Sequence, residues 1–165
     1  MSDHVPWIVF SYKIIASDTS TLRVRAWRIL KRIGALSIQN SVCVVPRTAL
    51  TVRKLKQLKE LVEEAGGQTT WLDVSIASPE QTEWLVEQFN KERAEEYTEV
   101  VETCEGFTFD SSVPESEARI GQIEKMLRKI VARDYFECQQ RSSAELAVTD
   151  LKGRLREWSL YYAYE

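Results

Sequence analysis

At 165 residues, with 44% hydrophobic and 28% charged side chains, the chain can bury a core without staples and is too apolar for disorder to dominate it. No apolar run reaches the roughly 18 residues that a membrane span needs, and Met1-Ser2-Asp3-His4 has neither a positive leader nor a long apolar core, so a cytoplasmic protein is expected. The net charge of −3 conceals an asymmetry: between Met1 and Lys59 eleven cations face only Asp3 and Asp18, so the acids concentrate in the remainder.

Trp7 to Ala16 is rich in β-branched and aromatic residues and ends at the turn-prone Ser17-Asp18-Thr19-Ser20, which predicts a buried strand. From Thr21 the period becomes helical through Leu22, Ala26, Ile29, Leu30 and Ile33, with Gly34 as the stop. Ala35 to Gln39 and Ser41 to Val45, broken at Asn40 and closed by Pro46, predict a hairpin or a bulged pair. A second helix is expected over Thr48 to Ala65, ending at Gly66-Gly67, and a strand over Gln68 to Ala77.

This order is that of an α+β, ferredoxin-like βαββαβ antiparallel sheet, completed within residues 1–77 as a basic domain. Both helices should cover one face, leaving the other to a second copy or to the C-terminal helices. Residues 78–165 then form an acidic, three-helix extension packed on it. Its first helix starts at the cap Ser78-Pro79-Glu80-Gln81 and runs to about 103, with Leu85, Phe89, Tyr97 and Val100 inward and Glu92, Glu95, Glu96, Glu99 and Glu102 on an acidic face. Cys104 to Glu115, containing Gly106 and Pro114, reads as a loop. Helices over about 116 to 136 and from Ser142 or Ser143 to about Trp158, through Leu146, Leu151 and Leu155, complete the chain.

Arg25, Arg28 and Arg32 fall at i, i+3 and i+7 and so stack on one side of the first helix, with Arg23 and Lys31 elsewhere on its circumference. Guanidinium groups bind phosphate bidentately, which makes these five candidate DNA or oxyanion contacts; the alternative is a solvated or internally paired basic face. Arg53, Lys54, Lys56 and Lys59 add charge on the second helix without base-reading residues among them. Trp27 falls away from the apolar stripe, which fits an anchor for another element or subunit, or ordinary core packing; Trp7 invites the same comparison. Asp134 projects with Ile120, Ile123, Leu127 and Val131 and needs a partner, which a cation from the basic domain would supply; Arg133 and Asp134 are put forward as structural ion-pair residues. The scattered Cys43, Cys104 and Cys138 form no Cys-x-x-Cys pair, His4 is the one histidine, and no glycine-rich phosphate loop occurs, so no metal site, cofactor or catalytic residue is expected.

The segments Leu22 to Ala35 (LRVRAWRILKRIGA), Gln39 to Pro46 (QNSVCVVP) and Lys129 to Phe136 (KIVARDYF), with the closing Trp158, Tyr161, Tyr162 and Glu165, resemble the N-terminal domain of ChrB, the chromate-resistance regulatory family. The resemblance implies a regulator of transcription that binds DNA through this part, with Arg23, Arg25, Arg28 and Arg32 as candidate contacts to DNA or to an oxyanion such as chromate. Longer members continue into a second domain linked to chromate sensing, which makes a chromate response by this sequence alone unexpected. A more distant likeness is to small ferredoxin-like CRISPR-associated nucleases, whose metal site uses an Asp near the end of the first strand. Lys13 stands there in this sequence, and a cation cannot ligate Mg²⁺. The reading is therefore a non-enzymatic DNA-binding regulator, a homodimer, with a protein-interaction module or a metal-dependent nuclease as the alternatives.

Overall fold

The computed structural model describes residues 6–15, 19–75, 77–109 and 112–162. In chain order they form β1 (Trp7–Lys13), α1 (Thr19–Arg32), β2 (Leu36–Gln39), β3 (Val42–Pro46), α2 (Ala49–Glu64), β4 (Gln68–Val74), α3 (Pro79–Glu105), α4 (Val113–Val131) and α5 (Arg141–Tyr162). The chain is α+β, with a four-stranded antiparallel sheet in the order β2-β3-β1-β4. His4, Ser17-Asp18 and Glu165, used in the reading above, lie outside the described residues.

Two compact units, Met1–Phe89 and Asn90–Glu165, divide the chain within α3. The element order alone suggests a boundary at 77/78. The early turns of α3 belong with the sheet instead because Phe89 stacks on Trp7 at 5.9 Å, both side chains being almost wholly buried. That contact also covers part of the sheet face opposite α1 and α2, since side chains alternate along β1.

On the helix-covered face of the first unit, Ile8 and Phe10 of β1 and Cys43 and Val45 of β3 pack with Ala26 and Ile33 and with Leu55, Leu58 and Val62 of α2. Trp71 of β4 meets Phe10 edge-on at 6.0 Å. The β2–β3 pair carries a bulge between Ser37 and Gln39, and Ser41 takes a left-handed φ of 61° in its turn. The start of α2 is fixed by a reciprocal cap: the Thr51 N–H donates to Thr48 Oγ1 (3.1 Å) and the Thr48 N–H donates to Thr51 Oγ1 (2.9 Å). The Thr51 hydroxyl, fully buried, is satisfied by donating to the Pro46 carbonyl at 2.6 Å. At the other end Gly66, with φ of 79°, stops the helix.

In the second unit Tyr97, Val100 and Cys104 of α3 pack with Ile120, Ile123 and Ile130 of α4 and Ala144, Val148 and Leu151 of α5. Three expectations are corrected here. Pro114 is not in a loop: Ser112 caps α4, its hydroxyl accepting from the Glu115 N–H at 3.4 Å, and Pro114 occupies the first turn, where its missing N–H costs nothing. Leu146 is 60% exposed, because the buried stripe of α5 runs through Ala144, Val148 and Leu151 instead. The α4 helix also ends at Val131, earlier than expected, and turns follow to Gln140.

The two adjacent glycines after α2 make separable demands. A Cβ on Gly67 would lie 2.6 Å from the Lys13 carbonyl and 2.6 Å from Val62 Cγ1, whereas one on Gly66 would meet nothing within 4 Å. Gly67→Ala is expected to cost on the order of 1–3 kcal/mol by overpacking, and Gly66→Ala about 1 kcal/mol from its left-handed backbone alone. Urea unfolding of the two variants beside the wild type checks the order.

Candidate nucleic-acid interface

The face of α1 is set by which side its apolar stripe buries. Ala26 and Ile33 are fully buried and Ile29 and Leu30 partly so. The helical period then turns Arg23, Arg25, Arg28, Lys31 and Arg32 outward, and all five are exposed. Among the described residues of the first unit, no carboxylate forms an ion pair with any of them; the cation of that unit held in an ion pair is Arg47, which engages Asp73. No acid stands in the first turn of α1, while Lys31 and Arg32 sit in its last turn, where they favour the negative end of the helix dipole. Of the other cations the sequence singled out, Arg53, Lys56 and Lys59 are exposed and Lys54 is half-buried. Lys13 is the last residue of β1, which stops short of the expected Ala16, and it is exposed.

Trp27 and Trp7 part company. Trp7 is core, 1% exposed, but Trp27 is 60% exposed beside Val24 at 46%. Core packing of Trp27 is thus ruled out by the rotation of the helix.

Sequence reasoning did not find a cavity of about 440 Å³ lined by Tyr12, Ile14, Arg23, Asn40 and Ser41. It joins the end of β1, the first turns of α1 and the β2–β3 turn, held together by the Tyr12 N–H donating to the Ser41 carbonyl at 3.0 Å. Burial, and then the neighbouring Cys43, push the Tyr12 hydroxyl pKa up, opposed by the Ser41 hydrogen bond and the Arg23 charge. The phenol therefore stays protonated at neutral pH and can donate a hydrogen bond. No single sequence window contains this set.

In the second unit the expected pair, Arg133 and Asp134, takes separate partners. Arg133 Nη2 meets Glu96 Oε1 at 2.8 Å, and the other Glu96 oxygen lies 3.0 Å from Nε of the buried Arg93. Glu96, assigned by the sequence to an acidic surface, is thus the centre of an Arg-Glu-Arg bridge. Asp134 accepts from the Tyr97 hydroxyl at 2.8 Å and from the Cys138 N–H at 3.0 Å. Glu137, with φ of 53°, bends the chain just before Cys138. Burial and the Asp134 carboxylate push the Tyr97 pKa up, and burial pushes Tyr135 up to about 12.

The three cysteines are free and buried. Burial pushes the Cys43 thiol up to about 12, so it carries no thiolate at neutral pH. Among the described residues no group of three His, Cys, Asp or Glu side chains is placed to hold a metal ion, and no helix is long and apolar enough to cross a membrane.

The model of one protein family, described as Protein ChrB, N-terminal, matches residues 23–163, a span that holds both the α1 cations and the Arg133-Asp134 turn. No curated protein and no solved structure matches the chain.

Asp134→Ala is expected to destabilise the second unit by about 1–3 kcal/mol, because it strips a buried hydroxyl and a backbone N–H of their acceptor; urea unfolding measures it. Tyr97 adds a pH dependence. Its folded pKa is raised above the value of about 10 for an unfolded tyrosine, so the stability it contributes is complete below about pH 10 and declines as pH climbs towards the folded value. Tyr97→Phe should flatten that alkaline decline, as followed by urea midpoints across the range.

Proposed function

Since the chain belongs to the ChrB N-terminal family, we propose that it is a non-enzymatic, DNA-binding relative of the chromate-resistance regulators. The observation that carries this reading is the exposed row Arg25, Arg28 and Arg32, flanked by Arg23 and Lys31 and left without carboxylate partners among the described residues of its unit. Guanidinium groups in such a row meet successive phosphate oxygens and position a protein on a duplex. The same groups would accept a small oxyanion such as chromate, which would then compete with DNA.

We read the element order and the strand order β2-β3-β1-β4 as a ferredoxin-like sheet with a three-helix extension. The unpaired edges of β2 and β4 offer the route to the proposed homodimer, since an edge strand presents free backbone groups to a copy of itself.

Titration of duplex DNA at two salt concentrations tests the assignment. The wild type should bind with a steep salt dependence, and the combined Arg25→Glu, Arg28→Glu, Arg32→Glu variant should bind at least about 100-fold more weakly, with a log–log salt slope shallower by roughly 3. Equal binding by both proteins removes the assigned contacts. Competition by chromate in the same titration and a solution mass decide the oxyanion and dimer parts.

A further inference from the structure

Phosphate contacts along α1 leave Trp27 unused. Trp27 is 60% exposed and lies one helical turn from both Arg23 and Lys31, with Val24 also exposed at 46%. An apolar ring of that size held in water among cations points to an occupant with a flat π-face and negative charge. A second copy docked through the same face would set Arg23 and Lys31 against their own equivalents, so charge complementarity disfavours self-association there.

The cavity beside it carries a second, independent observation. Arg23 belongs both to the α1 face and to the lining of the cavity, which it shares with Asn40, Ser41, Tyr12 and the apolar Ile14; the Tyr12 and Ser41 side chains are hydrogen-bonded to each other. A lining that offers an amide-bearing, a hydroxyl-bearing, an aromatic and a guanidinium-bearing residue suits the edge, face and phosphate of a nucleotide. A base inside an intact duplex has its faces stacked and its pairing edge occupied, so neither the indole nor the cavity could reach it.

Resting on the nucleic-acid reading of α1, we propose that this surface binds unpaired nucleotides: Trp27 stacks one base, Arg23 holds the intervening phosphate, and the cavity at the β2–β3 turn admits the neighbouring base. The partner is then single-stranded or locally opened nucleic acid, with the remaining α1 arginines tracking its backbone.

The test uses the full chain and three labelled probes at one salt concentration: an oligothymidine strand, a fully paired duplex of equal length, and that duplex with a short unpaired bulge. Wild type should prefer the strand and the bulged duplex. Trp27→Ala should weaken binding to both by about tenfold or more, the size of a lost base–aromatic stack, while Trp27→Phe retains most of the affinity and the salt slope is unchanged. Asn40→Ala should weaken the same two probes, with fully paired DNA unaffected by either change. A Trp27→Ala protein that binds the strand as well as wild type, or loses strand and paired duplex by the same factor, overturns the proposal. Paired-duplex binding that the triple glutamate variant abolishes, without any preference for unpaired probes, overturns this inference but leaves the function reading intact. Binding to none of the probes by wild type overturns both.

Discussion

The rotation of α1 about its own axis is fixed by the burial of Ala26 and Ile33 against the sheet, and the chemistry proposed for the first unit follows from it. Ala26 contributes only a methyl group to the cluster that also holds Phe10, Cys43 and the α2 leucines. Ile29 and Leu30 then widen the stripe without burying fully. With 3.6 residues per turn, a stripe at these positions cannot be buried without turning the five cations and Trp27 to solvent. The cost of desolvating an unpaired guanidinium makes the opposite rotation prohibitive. A single packing decision therefore exposes the charges, leaves Arg23 in the cavity lining and denies the indole a place in the core.

Arginine serves the opposite purpose in the second unit. Arg93 is 3% exposed, and its charge is balanced by Glu96 and by Glu92, while its Nη1 donates to the Arg133 carbonyl at 3.4 Å. Burying such ions costs much of what their attraction returns, so the bridge is better understood as fixing geometry than as a source of net stability. It fastens α3 to the turn after α4, and Asp134 fastens the same turn through Tyr97 and Cys138. Glu96 balances the charge of two arginines at once, which is why removing its carboxylate would leave charge stranded inside.

Much of the fold was legible because it is local. The β-branched run after Trp7, the helical spacing from Leu22 to Ile33, the Thr48 start and the Gly66 stop each speak for a few neighbouring residues, and the elements stand close to where those signals lie. The misplacements have equally local causes. Pro114 reads as a loop residue until Ser112 is seen to cap the helix it starts, and Leu146 lies off the buried stripe that Ala144, Val148 and Leu151 follow. The cationic row on α1 was visible for the same reason as the helix, since its spacing is the helix's own.

By itself, then, the sequence determined the kinds and order of elements, the apolar stripes, the charge asymmetry and the candidate arginines, because all of these depend on periodicity within one segment. Only the tertiary structure decided that Trp27 is outside and Trp7 inside, that Glu96 bridges two arginines, that Asp134 takes a tyrosine and a backbone N–H in place of a cation, and that Tyr12, Arg23, Asn40 and Ser41 enclose one cavity. Those outcomes depend on which distant segments meet and at what rotation, and that is set by the competition of whole faces for burial.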